Sequence, residues 1–120
     1  MPRITSGKSK WKAIHKAALA LPGAWEDRPW DEVVAKVGKK VFVFLGRPES
    51  DPLSLTVKLT DSHDHALSIP DAVPAGYGLG KSGWVMVPIT PVEQDLLEEW
   101  IEESYRNVAP KKLVAELDRA

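Results

Sequence analysis

The sequence predicts an α+β fold in which an antiparallel sheet of about five strands packs against an N-terminal helix and a long C-terminal helix. Three observations lead to this prediction: an apolar pattern of helical period near the start, a series of short segments rich in β-branched and aromatic residues, and a strong helical pattern near the end. A chain of 120 residues is long enough for one hydrophobic core and too short for two. We therefore expect a single domain over residues 1–120.

The opening helix is predicted over residues 9–21. Apolar side chains recur there every three or four positions, the spacing that places them on one face of a helix: Trp11, Ile14, Ala18 and Leu21. The pair Pro22-Gly23 then ends the pattern. The first helix should therefore be amphipathic and cover one side of the sheet.

Four strand-like segments follow, divided by turn residues: 24–28, 32–37, 40–45 and 53–59. Gly38-Lys39 is a two-residue hairpin signal, and a longer turn precedes the fourth segment, so these strands should run antiparallel. Apolar and polar residues alternate along the fourth strand, which places Lys58 on the face that points away from the core. A fifth strand is predicted over residues 84–89.

Helices are predicted on both sides of the fifth strand. Asp61 can cap a short helix that runs to about Leu67, and an irregular connection rich in proline and glycine follows it. Thr90-Pro91-Val92-Glu93 combines a capping hydroxyl, an N1 proline and an N3 glutamate, which predicts that a long helix starts there and ends near Asn107. A short final helix is expected over residues 110–117.

The composition excludes several classes of protein. The chain has no cysteine, so disulfides, thiolate nucleophiles and zinc sites built on sulfur are ruled out. It contains no apolar run of about 20 residues and no secretory signal, which predicts a cytoplasmic protein without membrane contact. The formal net charge of -1 gives no general attraction to nucleic acid, although residues 1–25 are basic and residues 93–103 are acidic.

Residues 75–82 match a relaxed P-loop expression, with alanine in the first glycine position. A P-loop needs a buried strand before it and a helix after it, whose free N–H groups hold the phosphates. Here prolines precede the loop, and Gly83 leads into the strand-like Trp84-Val85-Met86-Val87. A nucleotide cofactor is therefore not expected.

No constellation of residues indicates catalysis or metal binding. His63 and His65 are two positions apart and would not share a face of the short helix, so the expectation is no metal. The paired carboxylates of the last long helix lie on its exposed side, and no serine stands in a nucleophile-elbow motif. We expect a protein that is not an enzyme and that has no catalytic residue and no cofactor.

The remaining candidates are cations and aromatic rings. Five lysines could contact phosphates: Lys36, Lys39, Lys40, Lys58 and Lys81. They lie near the predicted hairpin, on the wetter sheet face, and in the glycine-rich segment 75–82, here called the glycine loop. Trp25, Trp30 and Trp84 could stack on bases, although core packing and the protection of sheet edges by lysine explain such residues as well. A second interpretation places an anionic small ligand or a protein partner at one site formed by Lys58, Tyr77, Lys81 and Trp84.

The order of several short motifs resembles the MmcQ/YjbR family over nearly the whole chain. The motifs are Leu21-Pro22-Gly23-Ala24, Glu26-Asp27, Gly38-Lys39-Lys40-Val41-Phe42, Leu53-Ser54-Leu55 with Lys58, Tyr77, Lys81, Gly83-Trp84-Val85, Trp100-Ile101 and Ser104-Tyr105. The resemblance implies a fold similar to the CyaY/frataxin-like α+β sandwiches, and DNA as partner through a double-wing arrangement. It also raises iron binding by the acidic last helix as a third, less favoured interpretation. The chain departs from the family at Leu79 or Gly80, where a more polar residue is usual. For the oligomeric state, we expect a monomer.

Overall fold

The computed structural model describes residues 7–50, 52–76 and 78–119. The helices are α1 (Gly7–Leu19), α2 (His63–Leu67), α3 (Gln94–Val108) and α4 (Lys111–Arg119). The strands are β1 (Ala24–Asp27), β2 (Val33–Val37), β3 (Lys40–Gly46), β4 (Ser54–Lys58), β5 (Val73–Pro74) and β6 (Trp84–Pro88). Two 3₁₀ turns complete the described elements, at Pro29–Asp31 and at Leu79–Ser82.

The strands form one antiparallel sheet in the order β1-β2-β3-β4-β6-β5. The predicted α+β class and the predicted antiparallel sheet are confirmed. The predicted number of strands was one too low, because Val73–Pro74 pairs with β6 at the edge of the sheet where an irregular connection was expected. An edge strand tolerates proline, which has no N–H to donate to a ladder, and a two-residue strand is too short to show an alternating pattern.

The hydrophobic core lies between the sheet and the helices α1 and α3. Val43, Val57 and Val85 stand side by side on three neighbouring strands, and all three are fully buried. They belong to one cluster with apolar residues of both long helices, including Ile14 of α1 and Leu97 of α3. One face of the sheet is thus sealed by helices, as the sequence predicted.

The start of α3 differs from the prediction. The capping box at Thr90 to Glu93 is not formed, and the helix begins at Gln94 with Glu93 in the N-cap position. The Lys10 ammonium of α1 donates hydrogen bonds to the carbonyl oxygens of Ile89, Thr90 and Val92, at 3.3, 2.9 and 2.6 Å. These contacts hold the segment as a turn, so a tertiary interaction overrides a local capping signal.

Side chains of α3 also form hydrogen bonds with backbone groups of β3 and β4. The β3–β4 ladder has two residue pairs, and near its end the buried Ser104 hydroxyl donates to the Phe42 carbonyl and accepts from the Lys58 N–H at 2.8 Å. The Asn107 amide donates to the Lys58 carbonyl at 2.8 Å. The backbone of Lys58 is therefore fixed by α3 at both its donor and its acceptor.

A candidate ligand-binding face of the sheet

The face of the sheet opposite α1 and α3, here called the open face, carries a different set of side chains from the core face. Next to the buried valine row runs a second row in which Phe44 is paired with Thr56 and Thr56 with Met86. Met86 is exposed, and Phe44 and Thr56 are half-buried. Because side chains alternate along strands, the row formed by Phe44, Thr56 and Met86 points away from α1 and α3. The open face is the side of the sheet that α1 and α3 leave uncovered, so it is a candidate surface for a partner.

Lys36 lies on the open face, but its charge is already engaged. Its ammonium lies 2.8 Å from a carboxylate oxygen of Asp27 on β1 and 5.2 Å from the centre of the Trp25 ring. The hydrogen bond from Lys36 is the main cause that holds the pKa of Asp27 below its usual value. A ligand phosphate would have to compete with this carboxylate, so Lys36 is a weaker phosphate contact than the sequence suggested.

Lys58 is better placed to meet a ligand. It stands directly opposite Trp84 on β6, and the Trp84 ring meets the Phe44 ring edge to face, with 5.4 Å between their centres. Its side chain forms no ion pair within residues 7–50, 52–76 and 78–119. The structure thus places Lys58 beside the buried Trp84, both members of the predicted anion site, and α3 fixes the backbone of Lys58.

The glycine loop supplies Lys81. It forms a 3₁₀ turn at Leu79–Ser82 and then enters β6 directly, so the helix that a P-loop requires is not there. Lys81 is exposed on this turn, close in sequence to Trp84. Tyr77, the fourth member of the predicted anion site, lies outside the described residues.

Lys39 and Lys40 are separated from the other lysines. They form the tip of the β2–β3 hairpin, where Lys40 is paired with Val37, a residue of the core face. Both line a shallow cleft of about 290 Å³ together with Val108 and Pro110 from the end of α3. The five predicted lysines therefore do not converge on one surface: Lys36 and Lys58 share the open face, and the hairpin pair lies on the helix side.

A second cleft lies where β2 begins and β3 ends, away from the β2–β3 hairpin. It has a volume of about 330 Å³ and is lined by residues that precede β2 and by the β3–β4 connection, including Trp30, Glu32, Arg47 and Ser54. Glu32 also lines an adjoining groove of about 200 Å³ whose floor is Phe44 and whose far wall is the glycine loop. We call the first space the Trp30 cleft and the second the sheet groove.

Trp30 has an unusual conformation for so large an apolar residue. Its side chain is 90% exposed, and both it and Asp31 have positive φ angles, 57° and 65°. A residue other than glycine costs about 1–3 kcal/mol of strain in this left-handed conformation. The sequence predicted Trp30 as a stacking residue, whereas Arg47 and Glu32 were not predicted, because their only signal is a position next to the end of a strand.

Other charged groups stabilise the fold. Glu26 accepts hydrogen bonds from Arg28 and from His15, both at 2.6 Å, and the bond from Arg28 is the main cause that lowers the pKa of Glu26. Burial acts to raise the pKa of Glu103, but hydrogen bonds from Ser62 and from the backbone near the start of α2 outweigh it and lower this pKa. These carboxylates are structural partners and are not available for acid–base work.

The described part of the chain holds no group of three histidine, cysteine or acidic residues that could bind a metal. His65 packs edge to face on the Trp100 ring with 5.5 Å between centres, and His63 lies 3.5 Å from Asp64. The two histidines thus have separate surroundings. Among the described helices, none has the length and apolar character needed to cross a membrane.

These observations define a class of α+β proteins in which the long helices cover one face of an antiparallel sheet and no described helix covers the other. The chain belongs to the YjbR family, whose family model matches residues 19–107. It is similar to a Deinococcus radiodurans protein, DR2400, whose crystal structure contains the YjbR-family domain DUF419. The two share 26% sequence identity with a TM-score of 0.68, over 85% of this chain and 80% of that chain. No curated protein matches the sequence.

Proposed function

We propose that this YjbR-family chain is a cytoplasmic, monomeric, non-enzymatic DNA-binding protein that contacts DNA with the open face of its sheet. The observation that carries the proposal is the half-buried Lys58, which stands opposite the buried Trp84 on the face that no described helix covers. A lysine attracts phosphate, and the Trp84 ring, buried against Phe44, supports the strand that carries Lys58. Lys81 on the glycine loop would add a second phosphate contact.

The distribution of charge supports this orientation although the net charge is -1. The run of acidic residues over 93–103 lies mainly on α3, which packs on the opposite face of the sheet. Repulsion between these carboxylates and DNA is therefore directed away from the open face. The hairpin lysines, Lys39 and Lys40, lie on the helix side of the sheet, so on this proposal they contribute less than Lys58 and Lys81.

The experiment measures the affinity for a fluorescent DNA duplex by anisotropy over a series of salt concentrations. The double variant Lys58→Ala, Lys81→Ala should weaken binding and reduce the slope of log affinity against log salt by about 2, since each phosphate contact contributes about 0.9. Lys111→Ala, Lys112→Ala is the matched control, because both lysines are exposed on α4. Absence of binding at low salt, or equal loss in the control, would reject the proposal.

The hairpin lysines have their own arm in this experiment. Lys39→Ala and Lys40→Ala should each lower both the affinity and the salt slope, by less than the double variant does. Should the hairpin variants alone lose binding, the DNA would lie on the helix side of the sheet, and the open face would not be the binding surface.

A second candidate function is binding of a small anionic ligand or of a protein at Lys58, Lys81 and Trp84, to which Tyr77 is added as a prediction. It is favoured by the rigid setting of Lys58, whose backbone is held by Ser104 and Asn107 while its ammonium forms no ion pair among the described residues. A thermal-shift screen with inorganic phosphate and organic phosphates tests it. A stabilisation that disappears in Lys58→Ala would support this function over DNA binding.

A further inference from the structure

We infer that the Trp30 cleft is a binding site for a nucleobase that carries a phosphate, supplied either as a free nucleotide or as an unpaired base of a single strand. This goes beyond the proposed function, which concerns lysines at the other end of the open face and a DNA duplex. The site consists of a flat ring, a carboxylate and a guanidinium brought to one cleft: Trp30, Glu32 and Arg47.

The first step concerns Trp30. Its indole is 90% exposed, so it contributes almost nothing to the core, yet its backbone and that of Asp31 adopt the left-handed conformation. The turn is closed by a hydrogen bond from the Glu32 N–H to the Pro29 carbonyl at 3.0 Å. Strained residues that persist without a packing role are characteristic of ligand sites. The strained turn leaves the tryptophan ring exposed to solvent, and its flat faces are surfaces on which bases stack.

The second step concerns Arg47. Its guanidinium donates a long hydrogen bond of 3.4 Å to the carbonyl of Trp30, so the cation lies beside the turn that carries the ring. Within the described ranges it forms no ion pair. A guanidinium presents several donors in one plane and binds phosphate oxygens in pairs. A phosphate attached to a base stacked on Trp30 would reach it.

The third step concerns Glu32, which selects among planar anions. A carboxylate in the cleft repels a simple aromatic acid and favours a ring that presents N–H donors, as the amino groups of cytosine, adenine and guanine do. No described residue hydrogen-bonds to the Glu32 side chain or forms an ion pair with it. The hydroxyls of Ser50 and Ser54 line the same space. The volume of about 330 Å³ lies at the lower end of the roughly 300–1,000 Å³ of small-molecule sites.

The cleft adjoins the sheet groove at Glu32, which lines both. The groove floor offers a second aromatic ring, Phe44, and the groove ends at the glycine loop. A single strand could therefore place one base on Trp30 and extend along the groove. A free nucleotide would occupy the cleft alone.

The experiment uses isothermal titration calorimetry on the full chain with inorganic phosphate, the four nucleosides and their monophosphates, a short single-stranded oligonucleotide and the matching duplex. Trp30→Ala should weaken nucleotide binding about 5- to 150-fold, the effect of losing one stacked base. Trp30→Phe should restore part of the affinity, and Arg47→Met should abolish the preference for phosphorylated over unphosphorylated nucleosides. Arg119→Met is the matched control, because Arg119 is exposed on α4.

Each arm supports or overturns the inference. Binding of monophosphates identifies a free nucleotide as the source, whereas binding of the oligonucleotide alone identifies a single strand. Phosphate that binds as tightly as the nucleotides, or affinity unchanged in Trp30→Ala, overturns it, as does no binding of any of these compounds. Circular dichroism should show that Trp30→Ala stays folded, since the side chain is exposed. Duplex binding through Lys58 and Lys81 can fail while this site succeeds, and the reverse, so the two proposals are tested separately.

Discussion

Replacing Ser104 with alanine tests whether its hydroxyl links β3 and β4 where the ladder between them ends. The hydroxyl is fully buried and serves two backbone groups, the Phe42 carbonyl and the Lys58 N–H. Its loss leaves a buried acceptor and a partly buried donor without a partner, and the space of one oxygen atom is too small for a water molecule. Each unsatisfied group costs about 1–3 kcal/mol, and the gain in helix propensity from alanine is about 0.5 kcal/mol. For the two groups together we expect a net loss of about 1.5–5.5 kcal/mol.

The measurement is urea unfolding followed by tryptophan fluorescence, with the free energy of unfolding extrapolated to water. The matched control is Ser82→Ala, because Ser82 is exposed on the 3₁₀ turn before β6 and should change stability by less than about 0.5 kcal/mol. If Ser104→Ala were as stable as this control, the hydroxyl would not be what bridges the two strands. A changed m-value would instead indicate that the alanine variant unfolds in more than one step.

Three further predictions concern the fold. Gly83→Ala should cost at least about 2 kcal/mol in urea unfolding, because φ is 96° and a Cβ would stand 2.8 Å from the Leu59 carbonyl oxygen. Glu103→Gln should be less stable than the wild type above about pH 4.5, and this difference should vanish as the pH falls: a pKa lowered in the folded state gives stability that protonation removes. A difference that grows on acidification would contradict the hydrogen bonds assigned to the Glu103 carboxylate. Lys10→Met should lower the melting temperature and Lys12→Met should not, because Lys10 alone binds the carbonyls before α3 while Lys12 is exposed on the same helix.

The elements that the sequence predicted well are those whose pattern is local. Alternation along β4 correctly placed Lys58 on the face away from the core, and the apolar period of the last long helix correctly predicted that it packs on the sheet. Local patterns failed where another segment decides the conformation. The capping box predicted before α3 does not form, because the ammonium of Lys10, about 80 residues earlier in the chain, binds the carbonyl groups of that segment. β5 is defined only by its pairing with β6, which no two-residue pattern can indicate.

The candidate site was harder to predict because its groups come from different strands. Lys36 looked available in the sequence, but Asp27, nine residues earlier, meets it across the β1–β2 pair. The Trp30 cleft depends on the pairing of Val33 with Gly46, which brings the turn before β2 beside the residue after β3. Neither contact follows from spacing along the chain. Both require the register of the sheet, including the bulges that shift it.

The residues that carry the family resemblance have structural roles that the contacts explain. Ser104 bridges two strands, the Tyr105 hydroxyl donates to the Pro22 carbonyl at 2.6 Å, and Gly83 leaves room for the Leu59 carbonyl. These positions specify how the sheet closes against α3, so they predict the fold and say little about the ligand.

Trp30 and Arg47 stand outside those motifs, and neither is buried. Their substitution should therefore leave the free energy of unfolding nearly unchanged, or raise it at Trp30 if the replacement relieves the left-handed strain. Selection for stability cannot explain an exposed indole on a strained turn. A ligand can explain it, because a ring already held in the conformation that the ligand needs lowers the free-energy cost of ordering the site on binding.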